Sequence, residues 1–283
     1  MSTLVSTWAA VRDRLREAGV ETPVFDARLL LEAGAGVSRL DIVTDPQRVL
    51  GDEQLAGIEA LVARRAAREP ISHILGRKAF WTLELSVTPD VLTPRPETEH
   101  LVELALEHMD FTHSARVLDL GTGSGAILCA LLNARPLANG VGLDKSAAAL
   151  EVAKANAHAL GLDGRTEWIE GEWSAARGAF DVIVSNPPYI RSGAIDLLAP
   201  EVAKYEPHLA LDGGRDGLDA YRAIMPLLPD LLMPEGVWAF EIGEGQAEAV
   251  WALADDVALR PQDVRRDLAG RSRVVWGRNR KSP

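Results

Sequence analysis

The sequence has one cysteine, Cys129, in 283 residues, so no intrachain disulfide can form, and this fits a reducing compartment. Cys129 lies inside the apolar run AILCALL, which makes it a core residue rather than a reactive thiol. Positive charge is short: 30 Lys and Arg against 41 Asp and Glu leave a net charge of −11. That balance argues against broad binding to nucleic acid or to an anionic membrane, both of which need a basic face; it leaves one small basic patch at Arg64, Arg65 and Arg68. The first twenty residues, MSTLVSTWAAVRDRLREAGV, are broken by charge every few positions, so neither a signal peptide nor a membrane span is expected and the cytoplasm is the expected location. The histidines, His73, His100 and His208 among them, have no metal-ligand spacing, so no metal is expected. A Gly-Lys-Ser/Thr triplet is missing, which removes a P-loop nucleotide site.

What is present reads as ordinary globular protein. Hydrophobic residues make up 47% and charged residues 25%, and the length suits about two domains of ~100 to 200 residues. Residues 1–72 read as a small helical domain: TLVSTWAAVRDRLREAG, VFDARLLLEAG and DEQLAGIEALVARRAARE have helical spacing, and Leu55, Ile58 and Val62 recur on one face. Gly19, Gly34 and Pro70 are the expected helix stops. Residues 73–96 read as a β-hairpin connector, because Trp81, Leu83, Leu85 and Val87 alternate with polar residues and Thr88-Pro89-Asp90 signals a turn. From 97 to 283 helices alternate with apolar strand candidates at 115–120, 139–144, 165–170, 179–185 and 236–243, followed by a helix and two strands around Gly270. The expectation is an α/β fold with a largely parallel sheet, covered on both faces and closed by an antiparallel edge hairpin.

Ligands of such sheets lie beyond the carboxyl ends of the strands. The first strand runs into DLGTGSGA, where Gly121, Gly123 and Gly125 allow a tight turn and a close backbone approach, with Thr122 and Ser124 between them. The second strand ends in Asp144, whose carboxylate can accept both hydroxyls of a ribose. Together they read as a nucleoside-cofactor site, for which two cofactors compete. A dinucleotide fingerprint has a third glycine where Ala126 stands here. S-adenosylmethionine has a cationic sulfonium and no phosphate, so a turn flanked by Asp119 and without lysine suits it better.

The fourth strand ends in SNPPYI, on the same sheet edge. Neither Pro187 nor Pro188 donates a backbone hydrogen bond, and the residue before each is pushed toward extended geometry, so the turn is a fixed array of acceptors. The Asn186 side-chain oxygen and the Pro187 carbonyl can each take one N–H of an amide or aromatic amine. They thereby aim the nitrogen lone pair at a methyl carbon and stabilise the positive charge that develops on nitrogen. Tyr189 is expected to stack on the planar group.

Asn-Pro-Pro-Tyr in this position resembles the amino-group methyltransferases of adenine, cytosine and glutamine amides. Longer stretches narrow the likeness: PISHILGRKAFWTLELSVTPDVLTPRPETEHLVE (70–103), VLDLGTGSGAI, NPPYI, YEPHLALDGGRDGLDAYR (205–222) and DLAGRSRVVWGR together are similar to the release-factor glutamine methyltransferase family. The resemblance implies a seven-stranded, Rossmann-like class I methyltransferase domain with a substrate-docking helical domain before it. It implies methyl transfer from S-adenosylmethionine to the amide nitrogen of the glutamine in the Gly-Gly-Gln motif of class I peptide chain release factors. It assigns the cofactor to Gly121, Thr122, Gly123, Ser124, Gly125, Asp144, Trp173 and Asn186. Catalysis falls to Asn186, Pro187 and Tyr189, and substrate binding to those three with Pro188, Arg95 and Glu97 of the PRPETE signature. Two positions depart from the family pattern: Thr93 replaces an aliphatic residue, and Glu172 replaces the more common Asp.

Other functions would use some of the same residues. A DNA adenine methyltransferase would share Asn-Pro-Pro-Tyr but needs a basic cleft for a flipped base, against which the acidic chain speaks. A ribosomal-protein glutamine methyltransferase differs at the PRPETE signature. A noncatalytic binding module would have no use for the intact acceptor array.

Overall fold

The computed structural model describes residues 2–110, 112–257 and 259–280, which divide into two compact units. The first comprises residues through Gly76 together with Ala199–Tyr205. Its helices are α1 (Leu4–Glu17), α2 (Pro23–Ala35), α3 (Arg39–Thr44), α4 (Asp52–Ala66), α5 (Ile71–Leu75) and the later α9 (Pro200–Tyr205). A capping box between Thr3 and Ser6 starts α1, and Arg14 and Arg16 in its last turn oppose the helix dipole. Gly34, an expected stop, instead lies inside α2, which ends at Gly36 in the left-handed region. The reason is packing: a Cβ on Gly34 would sit 2.7 Å from the Ile58 backbone, and one on Gly57 2.5 Å from the Gly34 carbonyl oxygen. The two glycines let α2 and α4 touch backbone to backbone, around a core that includes Leu15, Leu30, Leu31, Ile58 and Val62.

The expected basic patch is used up within this unit. Arg65 is buried and donates to buried Asp26 at 2.7 Å and to Glu201 at 2.9 Å; Arg68 holds Glu201 with a fork of 2.7 and 2.6 Å. Arg64 pairs with Glu69.

The second unit begins with the hairpin β1 (Arg77–Phe80) and β2 (Leu83–Ser86). Its turn is Trp81-Thr82, upstream of the Thr88-Pro89-Asp90 turn read from sequence, because Phe80 pairs directly with Leu83 and Trp81 takes a φ of 55°. Glu99 holds the Trp81 amide at 2.9 Å. Phe80, Leu83 and Leu85 belong to the same core as Leu101 and Leu104 of α6 (Glu99–Glu107), so the segment expected as a connector is built into this unit.

Its sheet has strands β3 (Arg116–Leu120), β4 (Asn139–Asp144), β5 (Thr166–Glu170), β6 (Phe180–Ser185), β7 (Leu232–Glu241), β8 (Leu259–Arg266) and β9 (Ser272–Asn279). The order is β5-β4-β3-β6-β7-β9-β8, with β3 to β7 parallel and β9 antiparallel to both neighbours. The other helices are α7 (Ala126–Ala134), α8 (Ala147–Ala159), α10 (Asp219–Ile224), α11 (Leu228–Leu231) and α12 (Ala247–Asp256). Two apolar clusters, one on each sheet face, bury β3 and β6 from both sides, as their nearly unbroken apolar sequences require. Cys129 is in the first, where burial pushes its thiol up to about 12. The strand order reverses direction at β3, which puts a topological switch point between β3 and β6.

Breaking the buried pair in the helical unit should be costly. Asp26→Ala leaves the Arg65 guanidinium short of a buried partner and is expected to lower the unfolding free energy by about 3 to 5 kcal/mol, measured by urea titration.

Candidate active site

Register brings the expected residues together. Leu120 pairs with Leu143 on one side and Ser185 on the other, so Gly121, Asp144 and Asn186 leave adjacent strands at the same edge. The amides of Gly121 and Thr122 both donate to the Leu143 carbonyl, at 2.8 and 3.0 Å. The Gly123 amide donates to Asp144 Oδ2 at 2.8 Å, and the Ser146 amide to Asp144 Oδ1 at 2.9 Å. Burial raises the Asp144 pKa and these backbone donors draw it back. Asp144 does not cap a helix: the Ser146 hydroxyl does that for α8. A carboxylate has about four acceptor sites, so Asp144 keeps acceptor capacity for a ligand beside its backbone donors.

Gly121 has a φ of 73°, and a Cβ there would lie 3.2 Å from the Trp173 ring, so backbone and indole form one narrow cradle. The buried Asn156 steadies the turn from behind. It donates to the Ser124 carbonyl at 2.9 Å and exchanges two hydrogen bonds with the Ser86 backbone at 2.7 and 3.0 Å. A lone polar residue in a helix gave no sequence signal of that role.

The cradle opens into a cavity of about 360 Å³. Gly121, Thr122, Gly123, Ser124, Asp144 and Trp173 line it, as do Arg95, Asn186 and Pro188. Gly125, Glu97, Pro187 and Tyr189 are not among the lining residues. Sequence reasoning had passed over Val91, Leu92, Thr98 and Leu209, which also form the wall. Those residues fall within the long stretches that resembled a family, although no individual chemistry marked them.

The lining contains five carboxylates, Asp90, Asp144, Glu172, Asp212 and Asp219, against the two cations Arg95 and Lys145. Lys145 is paired with Glu172 at 2.7 Å, and Arg95 with Glu206 at 2.5 Å. The site therefore favours a cationic ligand. Asp119 contributes less directly than expected: it is fully buried, holds the Thr122 hydroxyl at 2.7 Å, and burial pushes its pKa up to about 7. It shapes the turn rather than lining the cavity.

Asn186 donates from Nδ2 to Thr98 Oγ1 at 3.1 Å. Tyr189 turns toward β7, where its hydroxyl donates to Glu241 Oε1 at 3.2 Å and its ring lies against Gly243, so it does not face the cavity as a stacking platform. The glycines at 213 and 217 press on this turn from outside: Cβ atoms there would come within 2.8 Å of the Pro188 carbonyl and 2.4 Å of the Tyr189 carbonyl. Gln246 bonds the Tyr189 carbonyl at 3.1 Å. Arg95 and Glu97 do not pair with each other; Glu97 lies 3.6 Å from Arg273. Among the described residues no group of His, Cys, Asp and Glu is arranged to hold a metal ion.

Residues 7–76 match the model of the PrmC N-terminal domain, and residues 98–213 that of the methyltransferase small domain. The chain is 50% identical to a protein of Caulobacter vibrioides named release factor glutamine methyltransferase, over 97% of this chain and 96% of that one. A protein of the same name from Rhodospirillum rubrum is 48% identical over 94% of this chain and 82% of its own length. A solved methyltransferase from Pyrococcus furiosus shares the fold, with a TM-score of 0.54 at 16% identity over 76% of this chain and 98% of that one.

Asp144→Asn keeps an acceptor for the Gly123 amide but removes the charge and one acceptor. It is expected to weaken S-adenosylmethionine binding about tenfold or more, the worth of one or two charge-assisted hydrogen bonds, in a titration calorimeter. Unchanged affinity in the folded variant would remove Asp144 from the cofactor site.

Proposed function

The chain belongs to the release factor glutamine methyltransferase family, and on that premise we propose that it methylates the side-chain amide nitrogen of the glutamine in the Gly-Gly-Gln motif of class I peptide chain release factors. The donor is S-adenosylmethionine, which supplies an electrophilic methyl carbon on a sulfonium. The site suits it: the glycine turn and Trp173 line one cavity, where the indole offers a flat face to an adenine, Asp144 has acceptor capacity for the ribose, and the acidic wall suits the cation.

The observation that carries the reading is the orientation of Asn186. With its Nδ2 engaged by Thr98, its Oδ1 is left as an acceptor on the cavity wall. A primary amide nitrogen is a weak nucleophile because its lone pair is delocalised into the carbonyl. One N–H taken by Asn186 Oδ1 and the other by the Pro187 carbonyl fix the amide plane and turn the lone-pair face to the methyl carbon. The N–C bond would form as the S–C bond breaks, with neutral S-adenosylhomocysteine as the leaving group, and the nitrogen would then give up one proton to solvent water to return to a neutral amide. Both acceptors oppose the positive charge before that proton leaves. In this reading Tyr189 holds the turn through Glu241 rather than stacking on substrate, and Pro188 and Arg95 shape the entrance.

The helical unit is proposed to dock the protein substrate. It exposes Val24, Phe25, Leu40 and Val43 by more than half, an apolar display that a partner can cover. The net charge of −11 supports a protein substrate over a nucleic acid. Among the described residues no helix is long and apolar enough to cross a membrane, and release factors as substrate make the cytoplasm the proposed location.

Incubation with labelled S-adenosylmethionine and purified release factor should place one methyl group on the Gly-Gly-Gln peptide, mapped by mass; label on DNA or on a ribosomal protein instead would overturn the reading. Asn186→Ala is expected to lower kcat by about 10² to 10³, the usual cost of removing one preorganised contact to developing charge, with little change in cofactor affinity. Phe25→Ser should raise KM for intact release factor and leave KM for a short Gly-Gly-Gln peptide unchanged; equal effects on both would place docking elsewhere.

A further inference from the structure

Gln246, the residue before α12, is half-buried, and its carboxamide bonds three separate stretches of backbone. Nε2 donates to the Tyr189 carbonyl at 3.1 Å and to the Gly217 carbonyl at 3.0 Å, and Oε1 accepts the Gly243 amide at 2.9 Å. The Gln246 backbone amide returns a bond to the Gly243 carbonyl at 3.2 Å. All these partners are main-chain groups whose donor or acceptor character is fixed, so the carboxamide has a single orientation that satisfies them. Room is kept for it: a Cβ on Gly217 would stand 2.6 Å from Nε2, and one on Gly243 2.9 Å from Oε1.

Two of the stretches that Gln246 joins form part of the cavity wall. Asn186 and Pro188 line the cavity from the turn after β6, and Asp212, Asp219 and Ala220 line it from the segment that carries Gly217. Pro187 and Pro188 have no N–H, so neither can tie the turn down by donating. Just beyond the turn Ile190 is fastened to the same segment: its amide donates to the Leu211 carbonyl at 3.0 Å, and its carbonyl accepts the Gly213 amide at 2.8 Å. Gln246 adds a further point at Tyr189 and links both stretches to Gly243, beyond the end of β7. Other side chains cannot make these bonds. Glutamate has no donor for the two carbonyls, lysine has no acceptor for the amide, methionine has no N–H, and asparagine is one methylene shorter.

We propose that Gln246 is a positioning residue for methyl transfer: by holding the Tyr189 and Gly217 carbonyls on one NH2 group, it sets the place of the Asn186 and Pro187 acceptors relative to the 212–220 wall of the cavity. It rests on Asn186 and the Pro187 carbonyl serving as acceptors in the reading above. Only two residues, both proline, separate Tyr189 from Asn186, and their fixed φ carries a displacement at one end of the turn to the other. A misplacement of about 1 Å at a reacting group can cost ~10²-fold in rate. Gln246 touches neither substrate nor cofactor in this arrangement; it acts through the turn.

The test is single-turnover methylation of release factor by Gln246→Glu and Gln246→Met, with S-adenosylmethionine binding followed by calorimetry. Both variants are expected to slow transfer about tenfold or more, with cofactor affinity within about twofold of wild type, because Gly121, Asp144 and Trp173 are left alone. In an Asn186→Ala background the same substitutions should cost at most about threefold, since an acceptor already removed cannot be misplaced; a general loss of structure would cost the same in both backgrounds. A second readout needs no activity: amide hydrogen exchange over residues 186–190 should be about tenfold faster in both variants, while residues 119–126 keep wild-type protection. A wild-type rate in either folded variant, an equal fall in both backgrounds, or unchanged exchange over 186–190 would overturn the inference even where methyl transfer itself is confirmed. Failure of the wild type to methylate release factor, with the exchange result as expected, would instead overturn the function reading. If neither variant folds, Gln246→Asn decides: it keeps donors and acceptor on a stem too short to reach all three partners, and a wild-type rate in it sinks the inference.

Discussion

The end of β4 is the fixed point of the catalytic unit. The carbonyl of its penultimate residue, Leu143, takes two amides of the glycine turn, and the side chain of its last residue, Asp144, takes a third. A loop of three glycines has large conformational entropy to lose, and these bonds hold it in one shape before any ligand arrives. The parallel pairing of β3 with β4 makes them possible, since it sets the turn and the carboxylate one residue apart at the same edge. The cavity wall, the position of Trp173 and the acceptor at Asn186 all follow from that edge.

Much of this edge was legible because each part has a local cause. Apolar runs ending in glycine, aspartate or proline are strands with chemistry at their tips, and Gly121, Asp144 and Asn186 were found in that way. What was illegible depends on distant partners. Gly34 looks like any helix stop, and only Ile58 across the interface makes it a contact glycine. Arg65 reads as surface charge until Asp26 and Glu201 enclose it. Tyr189 was expected to stack on substrate, since sequence does not record the Glu241 acceptor that turns its hydroxyl toward β7. The hairpin turn moved upstream for a similar reason: the partner strand at 77–80 lacks a strong alternating pattern of its own.

The polar groups behind the wall follow one logic. Asp119 and Glu241 are buried and Asp144 half-buried; burial raises the pKa of each carboxylate, and each is offset by hydroxyl or backbone donors rather than by a strong ion pair. Neutral donors fix direction without adding positive charge beside a sulfonium. Arg95, which lines the cavity, is already matched by Glu206.

The short run Ala199–Tyr205 belongs to the helical unit although the chain on both sides of it belongs to the catalytic one. The polypeptide therefore passes between the two units three times rather than once. A part attached by a single thread can be lost, exchanged or fused elsewhere by one genetic event. This one is laced in: cutting after residue 76 removes most of it yet strands Glu201 with neither Arg65 nor Arg68. The two units are thereby inherited as one object, and a lineage that changes the helical unit must remodel it in place instead of trading it for another.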